Sequence, residues 1–361
     1  MDSWEPGVFN QMRYEQSAAN RLGIPWQSRL FSPAPMELDS PVLVRPNVDK
    51  SASESLVAAT LRGIFRRAEY RNWIVSEQDN FDILLARYSV ANPFHATLLK
   101  KVSKPIYSVH HTLEIPQLQI SNHPLAQLLV APERVLGSRW LKNVHGIISV
   151  TDEISCYQKK RMKESGKPTF LYPNGILFPE EVRCCDRRGQ IPEILFVASE
   201  FKAWNGLDLL LESVSNSKKQ FVLHLVGQVR TTDLERASSD SRVRIHGYLS
   251  TSEIAKLAEQ CWVGLSTLAL CRKGMEQACP LKVREYLLHG LPSYGSYQDI
   301  FPENVNFFRN GPPKIETILD FTHQMRQVSR ESVITAVRPY ISQELILQEL
   351  YDGIKRAKKN R

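Results

Sequence analysis

Long apolar runs are missing from this sequence. No stretch approaches the roughly 20 consecutive apolar residues that a membrane-spanning helix needs, and the opening MDSWEPG lacks the basic-then-apolar pattern of a secretory signal. A cytoplasmic protein is expected. Cysteine is sparse: six in 361 residues, at 156, 184, 185, 261, 271 and 279. No pair has CxxC spacing and two are adjacent, which suits neither a disulfide framework nor a zinc knot. The nine histidines form no HxxxH or HExxH array, so no metal site is expected. Repeats, low-complexity tracts and dense basic stretches interleaved with aromatics are absent too. The net charge of +8 therefore does not read as a nucleic-acid surface. More of that excess lies before residue 188 than after it, which suits anionic substrates or peripheral contact with an anionic membrane face.

What the chain does contain is alternation. Its length favours two domains, and short apolar runs take turns with helical patterns, the signature of parallel α/β layers. In the first half FDILLARYS (81–89), KPIYSVHH (104–111), VHGIISVTDE (144–153) and PTFLYPNG (168–175) read as strands. In the second, EILFVASE (193–200), FVLHLVGQV (221–229), VRIHGYLS (243–250) and CWVGLSTLA (261–269) do the same. The charged, aperiodic segment 178–193 reads as a linker. The expectation is two Rossmann-like doubly wound domains, 1–180 and 190–340, with a C-terminal helix over 343–361 packing back on the first. Doubly wound domains open on a buried strand, and MDSWEPG supplies none. Either the first strand lies upstream of this start, or it is very short or absent.

Three segments of the second half carry candidate chemistry. In FVASEFKAWNGLDLLLES a polar loop feeds a helix near Asn205 and Gly206, which is either an ordinary strand-to-helix turn or a phosphate site at a helix N-terminus. In GYLSTSEIAKLAEQ, Ser250 and Glu253 have the spacing of a capping box. In GMEQACPLKVREYLLHGLPSYGS, Pro280 and Gly290 bracket a short helix with Glu285 inside it. That acid is either a solvent-facing partner of Lys282 or His289, or an acceptor for the two hydroxyls of a vicinal diol.

Taken in order, W-N-G-L-D, R-I-H-G-Y-L and PLKVREYLLHGLPSYGS resemble retaining, nucleotide-sugar-dependent glycosyltransferases of the GT-B fold, specifically glycosyltransferase family 4. The likeness spans residues from about 80 to 300 and is strongest over 194–296; LYPNGI (171–176) resembles the family's Pro-Asn-Gly junction. The resemblance implies two domains facing across a cleft, no resident cofactor or metal, and a nucleotide diphosphate sugar as co-substrate. By it, Glu285 holds the donor ribose. The family's second glutamate falls on Gln277, beside Glu276, with Ala278 and Cys279 completing the sugar-reading loop. The usual Arg and Lys of the diphosphate grip fall on Ser199 and Asn205, which leaves Lys202, Lys282, Arg272 and Lys273 as candidate counter-charges near Gly206. PIYSVHHTLE resembles the segment that carries a histidine near the donor sugar, and best matches His110, with His111 its neighbour. The loop EPGVF (5–9) matches the position of a glycine-containing loop near acceptor and phosphate, which would make Gly7 its glycine.

The implied activity is transfer of a hexose-type sugar, with retention, to a glycan or lipid-linked acceptor in surface polysaccharide assembly. Two other readings stay open: a weak or inactive GT-B protein that binds a nucleotide or a partner, and a GT-B nucleotide-sugar epimerase.

Overall fold

The computed structural model describes residues 6–31, 43–44, 56–121, 126–162, 166–180 and 185–359. Their contacts group into two compact units, Met1–Tyr172 with Leu347–Arg361, and Pro173–Ile346. The boundary thus lies at 172/173, just before the Pro-Asn-Gly segment and ahead of the charged stretch 178–193.

In the first unit the earliest described element is the helix Pro6–Leu22, followed by a short parallel pair, β1 (Leu30–Phe31) and β2 (Leu43–Val44). A four-stranded parallel sheet carries the core: β3 (Leu84–Arg87), β4 (Ile106–His110), β5 (Gly146–Ser149) and β6 (Thr169–Leu171), adjacent in chain order. Among the described residues the order of these four strands does not reverse. Buried Ile106 and Ile147 meet Leu98 and the helical Trp140 and Leu141 in its core. Of residues 24–31, only the two of β1 form a strand. From Leu347 onward the last helix, Gln343–Lys359, groups with this unit, and Gly353 lies against the Phe170 ring.

The second unit is fully doubly wound. β7 (Glu193–Glu200), β8 (Val222–Gln228), β9 (Val243–Gly247), β10 (Val263–Leu265), β11 (Ser293–Gly295) and β12 (Phe308–Asn310) form one parallel sheet in the order β12-β11-β10-β7-β8-β9. The near-continuous apolar runs of β7, β8 and β10 follow from burial on both faces. β11 and β12 are missed by sequence reading because three residues apiece carry no period. The strand order reverses between β7 and β10, the topological switch point where open α/β sheets bind ligands beyond their carboxyl ends.

Candidate functional site

Two loops leave that switch point, and backbone hydrogen bonds staple them together. After β7 comes a 3-10 turn, Ala203–Asn205; after β10 comes another, Leu270–Lys273. Leu268 N–H donates to the Asn205 carbonyl at 3.0 Å and Ala269 N–H to that of Trp204 at 3.1 Å. Gly206 sits at φ +71°, with an ideal Cβ only 3.0 Å from Leu268. A side chain there would meet both backbone strain and the facing loop.

Asn205 is buried, and its Oδ1 accepts from Lys202 N–H at 2.9 Å. Its side chain thus caps the turn. The helix Leu207–Asn216 begins at once, and its first turn is already occupied by an acid. Asp208 receives backbone N–H donors of its own turn and a two-pronged ion pair from Arg272 at 2.8 and 2.9 Å. Backbone donors of this helix start are thus taken by the chain's own carboxylate, and Arg272 is held by it. Lys202 and Lys273 remain at the rim, with their ammonium groups 5.5 and 4.2 Å from the centroid of the Trp204 ring, a cation–π arrangement. In the sequence Trp204 figures only as the first residue of the W-N-G-L-D motif, with no role of its own.

The helix Leu281–Leu288 follows β10 through the loop 266–280. Pro280 is its N-cap in extended conformation rather than its first helical residue, with its φ of −73° preset by the ring. The helix stops at Gly290, at φ +67°, where an ideal Cβ would lie 2.6 Å from the Arg330 carbonyl oxygen. Arg330 is buried and donates to the carbonyls of Ala258, Glu259 and Cys261, each at 2.9 Å, and to that of His289 at 3.2 Å. It gathers the C-terminal ends of two helices, a favourable place for a cation.

Three side chains of this helix fix its rotation. Arg284, fully buried, makes a two-pronged ion pair with Asp299 at 2.6 and 2.7 Å and donates to the Asn174 carbonyl at 3.1 Å. Tyr286 OH accepts from Val197 N–H at 3.0 Å. Lys282 Nζ donates to the Val197 carbonyl at 2.6 Å. The register of β7 shifts between Val197 and Glu200, and the helix is pinned to that irregular end. Burial brings the Lys282 ammonium down to about 8, with Glu285 acting against the shift.

Glu285 itself is half-buried. Burial pushes its carboxyl upward, and the charge of Lys282 offsets this only in part. Among the described residues no donor lies within hydrogen-bonding distance of its carboxylate, so the solvent-facing pair with Lys282 or His289 does not form. A half-buried acid that no protein donor engages is open to the donors of a ligand.

The loop ahead of the helix divides its residues. Cys279 is buried, its thiol pushed up to about 12 by burial, and Asn174 Nδ2 donates to its carbonyl; its side chain packs inward. Glu276 is exposed and Ala278 half-buried. Gln277 forms an isolated parallel bridge with Gln298, supported by Gln298 N–H to the Glu276 carbonyl at 2.9 Å and Ala278 N–H to the Gln298 carbonyl at 3.1 Å. This loop is rigid at its backbone, with Glu276 and Gln277 along its outer edge.

In the first unit His110 ends β4, buried. Its Nδ1 lies 2.6 Å from Glu114 Oε1 and its Nε2 2.8 Å from Ser108 Oγ. The network runs on: Gln158 and Arg161 donate to Glu114 Oε2, Arg161 also binds Glu133, and Tyr88 OH donates to Glu133 at 2.7 Å. Both ring nitrogens of His110 are engaged inside the unit. Gly7, expected in a loop, lies instead in the first turn of the helix Pro6–Leu22. The reason is local: Pro6 is a favoured first helical residue and starts the helix before Gly7.

The chain is similar in fold, along almost its whole length, to several solved glycosyltransferases. Sucrose-phosphate synthase from Thermosynechococcus elongatus superposes with a TM-score of 0.68 at 15% identity, covering 98% of this chain and 93% of that one. A glycosyltransferase from Rickettsia africae gives 0.64 at 16%, covering 98% and 96%. Anabaena HepE, solved in complex with UDP and glucose, gives 0.62 at 12%, covering 99% and 98%. The chain matches no curated protein sequence. Two parallel-sheet units of this kind have the GT-B fold. Residues 191–313, which span the switch point and both of its loops, match the family model for glycosyl transferases group 1. The family expected from PLKVREYLLHGLP is the one whose model this segment matches, and the chain as a whole has the GT-B fold.

Proposed function

We propose that this protein transfers a sugar from a nucleotide diphosphate sugar to a glycan or lipid-linked acceptor with retention of configuration, in assembly of a surface polysaccharide. The observation that carries the reading is the half-buried Glu285 carboxylate, without a donor among the described residues, on a helix pinned beside the switch point of the second unit. A ribose 2′,3′-diol supplies two hydroxyl donors to such a group. Glu276 and Gln277 on the adjoining loop edge would take sugar hydroxyls. The diphosphate would sit near the Trp204 rim, where Lys202 and Lys273 offer positive charge to the leaving group, with no resident cofactor or metal required. That the solved relative HepE binds UDP and glucose makes uridine nucleotides the first probes.

Contact with an anionic membrane is part of this reading. On the helix Val130–Asn143 and the turn before it, Leu128 and Val135 are 70% and 69% exposed. The charged residues exposed on that helix, Arg134, Arg139 and Lys142, are all cationic. Cosedimentation with vesicles containing anionic lipid, lost with Leu128→Ser/Val135→Ser, supports the contact; equal recovery of wild type and variant refutes it.

A weaker or non-catalytic role is favoured by one feature. Asn205 stands where the family has a cation, and its side chain is committed to the turn. An epimerase would give product without any acceptor. The deciding experiment is thermal stabilisation by UDP-, GDP- and ADP-sugars. One of them should raise the Tm, and Glu285→Ala should remove the rise. No response in the wild type, or an equal response in the variant, ends the donor-site reading.

A further inference from the structure

The second unit opens on Pro173, Asn174 and Gly175, ahead of any strand of its sheet. Asn174 is nevertheless tied at three points to the loop and helix that carry Gln277 and Glu285. Its Nδ2 donates to the Cys279 carbonyl, its N–H points at Cys279 Sγ at 3.2 Å, and its own carbonyl accepts from Arg284 Nε at 3.1 Å. All of these residues belong to the second unit. The Cys279 carbonyl depends on an outside donor for a local reason. The first bond of the helix runs from Val283 N–H to the Pro280 carbonyl at 3.2 Å, so Cys279 lies one residue outside the helical ladder.

Asn174 is itself anchored by contacts that do not involve this loop. At Gly175 an ideal Cβ would lie 2.6 Å from Gln343 Oε1 and 3.0 Å from Gln343 Cα, so the backbone packs directly on that residue and leaves room for glycine alone. Ile176 then forms a parallel bridge with Ser342. Its N–H donates to the Ile341 carbonyl at 2.8 Å, and Gln343 N–H donates to the Ile176 carbonyl at 3.0 Å. Loop 276–279 therefore has two moorings. The outer one is the backbone bridge to Gln298, and the inner one is Asn174. Between them lie Glu276 and Gln277, whose contacts with a ligand hold only if their backbone stays within about 0.5 Å of one position.

We propose that Asn174 is a positioning residue for the transferred sugar. It fixes the inner end of loop 276–279 so that Glu276 and Gln277 meet the sugar hydroxyls, and it takes no part in holding the nucleoside diphosphate. The proposal deepens the donor reading and rests on it.

Two variants of the full chain test it. Asn174→Asp keeps the shape of the side chain and removes its N–H donor; Asn174→Ala removes the donor without adding an acceptor. Amide hydrogen exchange reads the loop directly. The amides of Ala278 and Gln298, which close the backbone bridge, should exchange about tenfold faster in both variants, while those of residues 286–288 stay within about twofold. Isothermal titration reads the consequence, with whichever of UDP-glucose, GDP-mannose and ADP-glucose raises the wild-type Tm and with the matching nucleoside diphosphate. Both variants should bind the nucleotide sugar about tenfold more weakly and the nucleoside diphosphate within about twofold of wild type. Glu285→Ala should instead weaken both ligands alike, because both carry the ribose. A loss shared equally by the two ligands, no loss with either, or unchanged exchange at Ala278 and Gln298 overturns the proposal and leaves the donor reading standing. If no nucleotide sugar raises the Tm, the donor reading fails and the proposal fails with it.

Discussion

Glu114 in the first unit and Glu285 in the second are both carboxylates drawn away from water, and they are held in opposite ways. Burial pushes Glu114 upward, but His110, Gln158 and Arg161 more than reverse it, and its carboxyl titrates below the ordinary range. Burial pushes Glu285 upward as well, and Lys282, occupied with the Val197 carbonyl, reverses only part of that. The first acid has become part of the structure, because its charge and its lone pairs are used. The second retains an unmet demand for donors, which a ligand can satisfy. Partnering, more than burial, separates a structural acid from a binding one in this molecule.

The largest test of that contrast removes the paired acids. Glu114→Ala leaves His110 without its 2.6 Å partner and Arg161 with one carboxylate in place of two. A loss of roughly 3–5 kcal/mol is expected in urea unfolding, the usual cost of breaking a buried pair from one side. Asp299→Ala sharpens the point within the second unit, since it strands the fully buried Arg284 guanidinium. A loss of similar size, about 3–5 kcal/mol, is expected there too. If Asp299→Ala cost under about 1 kcal/mol, as an exposed pair would, the distinction by partnering would not hold.

How far the sequence shows these two acids differs for a physical reason. Glu285 is legible because it lies in a short helix bracketed by Pro280 and Gly290 and in a segment that resembles a known family. The apolar strands β7, β8 and β10 are legible for the same local reason: their pattern is written in consecutive residues. Glu114, Arg284 and Arg330 are not. Each looks like a surface charge in its own neighbourhood, and each is buried by a partner 15 to 72 positions away. The capping role of Asn205 is not legible either, because it depends on the conformation of the turn, which residue types alone leave open. Gly7 was placed in a loop although Pro6, the signal for the helix start, stood next to it.

Removing Glu285 should give the reverse pattern. A carboxylate whose folded pKa is raised costs stability as pH climbs past its unfolded value near 4.3. Glu285→Gln should therefore match or exceed the wild type in stability at pH 7, with a change within about 1 kcal/mol. Its nucleotide affinity should fall about 10–100-fold, the worth of one or two hydrogen bonds to a charged acceptor. Isothermal titration with the stabilising nucleotide, alongside urea unfolding, reads both. A variant that lost several kcal/mol of stability and kept its affinity would place Glu285 with Glu114 as a structural acid.

The smallest effect concerns a neutral group inside the paired network. His95 is buried, its ring stacked on Trp140 at 4.3 Å, and its Nδ1 has no hydrogen-bond partner. Burial, with Arg67 and His110 adding to it, brings the imidazole down to about 3. Between that value and its ordinary one near 6.5 the unfolded chain binds a proton that the folded chain does not. Stability therefore rises with pH across this window and is lost as pH falls below 6.5. His95→Phe keeps a ring of similar size against Trp140 and removes the titration. Relative to wild type it should be about 1 kcal/mol less sensitive to a fall from pH 6.5 to 5.5, measured as the change in urea midpoint. Equal slopes would mean that His95 takes up its proton in the folded state.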